Sequence, residues 1–318
     1  MTFEVPNGEP ISGMGIPKGF TVVTGNSRGG KSTLLDAVYS GVYDHIPGDG
    51  REYVIASTDA AYVMAEEDRP ADTVDVSMFI KDSTEFDDTT AVRKEFVSSP
   101  MSELLSISEA VEMGSKLILM DEEYSNPSVL RRGYLASGDQ MTPISEIGHS
   151  MGEQGISLLV VSGDESVIRS ADTVLKMDGM KVSKVEVDHI SHEVVFTRPI
   201  ERSPVSKGIV YEKGHRDVNV TAQAIRTIEI GEFKVNVPVA AFFDISQTST
   251  AADTIALMKD MMDGSKNMLE TCKAAIEQIR ADDESADSGT GMHHVTVRPI
   301  DVASVMNRHP QMLAIQKR

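Results

Sequence analysis

The spacing of apolar positions changes near residue 190. Before it, short apolar runs alternate with stretches of helical periodicity. FTVVTG (Phe20–Gly25), EYVIAST (Glu52–Thr58), KLILM (Lys116–Met120), ISLLVVSG (Ile156–Gly163) and TVLKMDG (Thr173–Gly179) each read as a strand. A helix is expected from Lys31 onward. Another is expected over Ser102–Met113, where Leu104, Leu105, Ile107, Ala110 and Val111 recur at helical spacing. Strands alternating with helices predict a mainly parallel sheet covered on both faces. The polar stretch Asp82–Thr90 reads as a mobile loop. After residue 190 the alternating runs VVFTR, VNVTAQAI and TIEIGEFKVNV predict antiparallel strands. A helical stretch from Ser249 to about Arg280, a disordered loop over Ala281–Gly291 and a last strand and helix within Val295–Leu313 complete the expectation. The architecture expected is an α/β core over residues 1–190, followed by a smaller α+β region over residues 191–318.

The phosphate chemistry lies between the first strand and the first helix. Gly25-Asn26-Ser27-Arg28-Gly29-Gly30-Lys31-Ser32 fits G-x-x-x-x-G-K-[ST], with Thr33 next along the helix. Glycines let the backbone curl so that its amides point at phosphate oxygens, and the helix start adds a positive end. Lys31 is expected to reach the β- and γ-phosphates and Ser32 to ligate Mg²⁺. This makes the core a P-loop NTPase that takes ATP and Mg²⁺.

A second cluster ends the KLILM run. Asp121 is placed to support Mg²⁺, and Glu122, one residue on, to orient or deprotonate water, with Glu123 following. An Asp-Glu pair separates this chain from GTPases, which position water with a glutamine. Some twenty residues upstream lies a Ser-rich helix start, Ser98-Ser99-Pro100-Met101-Ser102-Glu103. This is where ABC-type ATPases carry a signature that offers a serine hydroxyl and helix-start amides to ATP on the opposite subunit. Ser98, Ser99 and Ser102, with Arg131 after the acids, are therefore candidate trans contacts; helix capping by Ser98 or Ser99 is the plainer alternative. Asp59 is a candidate γ-phosphate sensor or a loop cap. Asn126 occupies the place of a loop that crosses the dimer interface. Phe3 is a candidate adenine-stacking ring. His45 is expected to brace the turn it sits in.

These residues resemble the predicted ATPases of the ABC class. The matching stretches are Ile11–Gly19, the P-loop, GVYDHIPGDGRE (Gly41–Glu52), Ala65–Arg69, Asp88–Thr90, KLILMDEE (Lys116–Glu123), Thr142–Ile144, ADTVLKMDG (Ala171–Gly179), Asp244–Thr248 and VRPIDVASVMNR (Val297–Arg308). They extend over nearly the whole chain, and GVYDHIPGDGRE is far more specific than the P-loop. The resemblance implies a head-to-tail homodimer that closes around two ATPs. A mitochondrial relative associated with RNA makes nucleic acid a candidate partner. Three departures stand out. Only 24 residues precede Gly25, so the sizeable domain that such proteins carry there is expected to be lacking. Ser99 and Glu103 replace a glycine and a glutamine of the signature. Ser162-Gly163-Asp164 stands where transporter-type proteins carry a switch histidine.

Charge and composition narrow the picture further. Forty-nine acidic against 30 basic residues give a net charge of −19, which repels polyanions at long range. Cys272 is the single cysteine, so no intrachain disulfide can form; with no apolar run of spanning length, a cytoplasmic, non-membrane protein is expected. His293 and His294 are adjacent, not at ligand spacing, and no structural metal site is assigned. The function expected is ATP hydrolysis coupled to an unknown partner. The alternative is an ATP-binding switch with negligible turnover, and a P-loop kinase is the other enzyme class in view.

Overall fold

The computed structural model describes residues 1–133, 135, 138–206, 218–285 and 294–317. In chain order the elements are β1 (Thr2–Phe3), β2 (Ile11–Ser12), β3 (Phe20–Gly25), α1 (Lys31–Ser40), β4 (Ala61–Val63), β5 (Ala71–Val74), β6 (Val92–Lys94), α2 (Ser99–Glu112), β7 (Leu117–Asp121), α3 (Pro127–Leu130), α4 (Ile144–Glu153), β8 (Ser157–Val161), α5 (Glu165–Ser170), β9 (Thr173–Asp178) and β10 (Lys181–Val185). There follow β11 (Arg202–Val205), β12 (Val220–Ala224), β13 (Thr227–Ile230), β14 (Phe233–Asn236), α6 (Ile245–Met261), α7 (Met268–Ser285), α8 (Pro299–Met306) and β15 (Leu313–Gln316).

The centre is a six-stranded sheet in the order β10-β9-β3-β8-β7-β4. All its pairings are parallel except β10 on β9. Side chains alternate across it, as strand periodicity requires. Val22, Ile118, Met120, Leu158, Val160 and Val174 turn to the face that packs on α2 and α4 through Leu104, Ile107, Ile144 and Ile147. Val23, Leu119, Leu159, Val161 and Leu175 turn to the other face, where Leu35 and Tyr39 of α1 cover them. Apolar burial on both faces is why these strands read as continuous apolar runs.

A further apolar cluster fills the later part of the chain. The antiparallel sheet β12-β13-β14 contributes Ile228, Ile230 and Val235, and α6, α7 and α8 contribute Ile255, Met258, Cys272, Val302 and Met306. The Cys272 thiol is fully buried there, and burial pushes its pKa far up, so it packs and does not react. β11 pairs antiparallel with β15, so the last strand returns to the start of this region.

Six expectations needed correction. Residues 52–58 form no strand: Tyr53 and Ile55 are 74% and 83% exposed, and the edge strand falls at β4 instead. VVFTR likewise forms no strand, and only Phe196 of it is buried. The long helical stretch is two helices, α6 and α7, broken over residues 262–267. In the last segment, α8 precedes strand β15. The Asp82–Thr90 stretch has no regular element, but it is tied down: Ser83 and Thr84 donate to the Asp139 carboxylate at 2.8–2.9 Å. Of the loop expected over Ala281–Gly291, residues 281–285 continue α7, and 286–291 lie outside the described residues, as does His293.

A buried chain of ions ties α2 to the C-terminal segments. Arg202 is 1% exposed and donates to Glu112 through Nε and Nη2, to Asp72 O and to Asn307 Oδ1. Arg69 pairs with Glu109 on the same helix at 2.7 Å, and Arg308 pairs with Glu66. None of these partners is close in sequence.

Candidate nucleotide site

β3 carries the chain into the P-loop between β8 and β9. Gly25 turns at φ 136°, and a Cβ there would stand 2.2 Å from Met177 O, so only glycine fits. Gly30 turns at φ 93° and caps α1. No side chain caps the α1 N-terminus and no acid lies in its first turn, which leaves the first-turn amides for an anion. Lys31 Nζ donates to Gly25 O at 3.1 Å and Asn26 O at 2.9 Å. The ammonium thus pins two loop carbonyls, which keeps the loop curled with its charge at the mouth. Asn26, Ser27, Arg28 and Thr33 are exposed around it, and Ser32 is half-buried on the first turn. Arg28 holds a left-handed φ of 60° without being glycine.

The two acids stand at the end of β7, one strand removed from the P-loop strand. Asp121 is 2% exposed; its Oδ1 accepts from Glu123 N at 3.0 Å, and its Oδ2 is buried with no hydrogen-bond partner. An orphaned carboxylate oxygen is costly unless a cation takes it, so the residues present fit Mg²⁺, with Asp121 and the Ser32 hydroxyl as the hard oxygen donors. Asp36 lies one helical turn beyond Ser32 and close to Asp121. Although its side chain reaches solvent, partial burial and then the Asp121 charge raise its pKa, with Arg51 working against them. Asp36 was missed in the sequence, yet its i+4 spacing from Ser32 places both on one face of α1.

Glu122 points toward β8. Its Oε2 accepts from Ser162 Oγ at 2.9 Å and from Gly163 N at 2.6 Å, while its own amide donates to Val161 O. Ser162 therefore does not merely fill the place of a histidine. Its hydroxyl holds the glutamate and also accepts from Asp164 N at 3.0 Å. Arg131 is ion-paired with Asp164, half-exposed, beside this corner.

The signature segment is put to internal use in part. Ser98 is the residue before α2, makes no side-chain cap and is, like Ser99, half-buried. Ser102 is fully buried: its hydroxyl donates to Ser99 O and accepts from Glu66 N, so it is turned away from any second subunit. Glu103 is also fully buried and accepts from Asn126 N at 2.7 Å. Burial pushes its carboxyl up to about 7 from the usual 4.5, against the pull of the Asn126 amide. Where the signature would carry a glutamine, this acid braces the Asn126 turn.

A stability test follows. With its folded-state pKa raised, Glu103 binds a proton on folding between pH 4.5 and about 7. Stability therefore falls as pH rises through that window and levels off above it. Glu103→Gln is expected to stabilise the chain by on the order of 2–3 kcal/mol at pH 8 and by almost nothing at pH 4.5. Urea unfolding of both proteins at the two pH values checks this; an equal gain at both would remove the titration account.

Three other candidates are placed. Asp59 caps the start of β7, accepting from Ser57 Oγ at 2.6 Å and Lys116 N at 3.3 Å. Asp121 is at the opposite end of that strand, roughly 16 Å away along it, so Asp59 is not at the phosphate end. The register of β4 on β7 puts Met64–Glu67 there instead. His45 bonds Asp49 Oδ2 at 2.6 Å and Ser40 O at 3.0 Å, bracing its turn as expected. Phe3 is 52% exposed on the β1–β2 hairpin.

Among known proteins, the family described as "ABC_ATPase: P-loop domain" matches residues 1–210. An uncharacterized protein of Methanocaldococcus jannaschii is 27% identical over 211 residues, which is 60% of this chain and 44% of that protein; the chain thus spans less than half of its relative's length. A solved structure titled as the dimeric, post-hydrolysis state of an ATP-binding cassette bound to ADP and Pi aligns over 58% of this chain and 96% of its own. It does so at 14% identity and a TM-score of 0.34. No helix among the described residues is long and apolar enough to cross a membrane.

Proposed function

The chain belongs to the ABC ATPase P-loop family, and on that premise we propose that it hydrolyses ATP, with Mg²⁺, in a homodimer that closes on ATP and opens after hydrolysis. Residues 1–190 act as the motor, and residues 191–318 pass its motion to a partner. The observation that carries this reading is the pairing of an orphaned Asp121 oxygen with a Glu122 carboxylate held one residue on by Ser162 and Gly163.

In this mechanism the P-loop amides and Lys31 bind the phosphates. Ser32 and Asp121 hold the cation. With Mg²⁺ bound, charge developing on the phosphate oxygens is neutralised. Glu122 orients water and accepts its proton at Oε1 or Oε2. Ser162 and Gly163 fix the carboxylate against rotation. Ser98 and Ser99, with the α2 start, are the groups left to meet the second subunit, and Arg131, paired with Asp164, is the remaining trans candidate. Ser162→Ala is expected to lower kcat about ten- to a hundredfold, the worth of one hydrogen bond to a charged group, with KM nearly unchanged. Steady-state kinetics with Gly163 left intact checks this.

A second reading has one observation in its favour. Because Ser102 and Glu103 are used inside the chain, the trans-acting surface is thinner than a full signature would offer. The protein would then be an ATP-dependent switch with negligible turnover. Light scattering of the Glu122→Gln protein with and without Mg-ATP separates the two. An ATP-dependent dimer supports the motor; a monomer that still binds ATP supports the switch.

A further inference from the structure

β4 is the edge of the central sheet, and its outer side opens into a cavity of about 330 Å³. The cavity is walled by α2 through Ser106 and Ala110, by α8 through Ile300 and Ala303, and by the end of β14 and the segment after it, residues 236–241. It is separate from the P-loop: among the residues lining it, only Tyr39 belongs to α1.

Main-chain groups on an edge strand alternate in direction. At one end of this edge the Ala60 carbonyl accepts from Arg298 Nη1 at 2.8 Å. At the other, the Glu66 amide donates to Ser102 Oγ at 2.8 Å. Ala65, of the other parity, donates on the β7 side to Tyr124 O. By the same alternation the amides and carbonyls of Tyr62 and Met64 face away from β7, into the cavity. The edge is thus closed by side chains at both ends and open between them, over the five residues Ala61–Ala65 or roughly 17 Å. An unpaired edge of this kind is a template for another strand.

We infer that this edge takes an extended, basic peptide segment of a partner protein as an added strand, hydrogen-bonded to Tyr62 and Met64. Charge sets the sign of the occupant. Of the four carboxylates lining the cavity, Glu66, Glu109 and Asp301 are already paired within the chain with Arg308, Arg69 and Arg298, so Glu67 is the acid left to meet a basic side chain. Glu67 and Asn236 are exposed at its rim, and the whole chain carries −19. The apolar wall formed by Ala110, Met113, Val237 and Ala303 suits the alternate, inward side chains of such a strand. The inference stands whether or not the protein turns ATP over.

The probe is a fluorescein-labelled, terminally blocked pentapeptide of alternating lysine and valine, titrated by anisotropy onto the full chain without nucleotide. Saturable binding is expected, together with slowed hydrogen exchange at the Tyr62 and Met64 amides. Methylating the central backbone nitrogen, which removes a donor and leaves the charge alone, is expected to weaken binding about tenfold. Met64→Pro, tolerated on an edge, is expected to do the same by removing the protein's donor. An absence of binding overturns the inference. So does equal binding of the methylated peptide with unchanged exchange, since that would mean charge attraction at the rim only.

Discussion

Glu122→Gln is expected to lower ATP turnover by about 10²–10⁴-fold while leaving ATP affinity essentially intact. The substitution keeps the shape, so a carboxamide oxygen can still accept from Ser162 Oγ and Gly163 N, now at 2.9 and 2.6 Å on Oε2. What it removes is the ability to take a proton from water. The P-loop is untouched, because Lys31 and the α1 start are held by their own contacts with Gly25 and Asn26. Single-turnover hydrolysis with excess protein over ATP, alongside nucleotide binding, measures both quantities. A variant that hydrolyses at the wild-type rate would strip Glu122 of its role and move attention to Glu123.

Arg202→Met is expected to destabilise the fold by about 3–5 kcal/mol. The guanidinium is fully buried and makes contacts with Glu112, Asp72 and Asn307, so its loss leaves the Glu112 carboxylate buried with no counter-charge. The cost comes from that stranded charge more than from the lost attraction. Removing both partners, as Arg202→Met with Glu112→Leu, is therefore expected to recover much of the loss. Urea unfolding of the wild type, the single and the double variant tests it. A double variant no more stable than Arg202→Met would mean that packing around Arg202, not charge, sets the cost.

How far the fold could be read from the sequence depended on where each residue finds its partners. β3 and the start of α1 were legible to the residue, since the P-loop needs glycines at positions fixed by its own backbone. β7, β8 and β9 were legible because burial on both faces leaves a continuous apolar run. The Glu52–Thr58 error has the reverse cause. Tyr53, Val54 and Ile55 have strand-forming side chains, but the chain there folds into a turn in which Glu52 accepts from Gly48 N and Gly50 N, and no neighbouring strand is at hand. The same limit hid the roles of Ser162 and Glu103. Ser162 reaches Glu122 because β7 and β8 are in register, Asp121 opposite Val161, across forty residues of sequence. Glu103 is bland by its spacing and becomes informative only once α2 buries it. The pairs Arg202–Glu112 and Arg308–Glu66, separated by 90 and 242 residues, carry no local signal at all.

The joint around Arg298 bears on how such a chain can be rearranged. Arg298 binds Asp301 through two nitrogens, the Tyr39 hydroxyl at the far end of α1, and the carbonyl that starts the edge strand. The Tyr39 hydroxyl in turn donates to Ala240 O. Cutting the chain near residue 190 would strand hydroxyl, carbonyl and carboxylate groups whose partners lie beyond the cut. The nucleotide-binding half is therefore not a portable cassette. Transplanting it means carrying residues 191–318 along or redesigning Tyr39, Glu66 and Glu112 together.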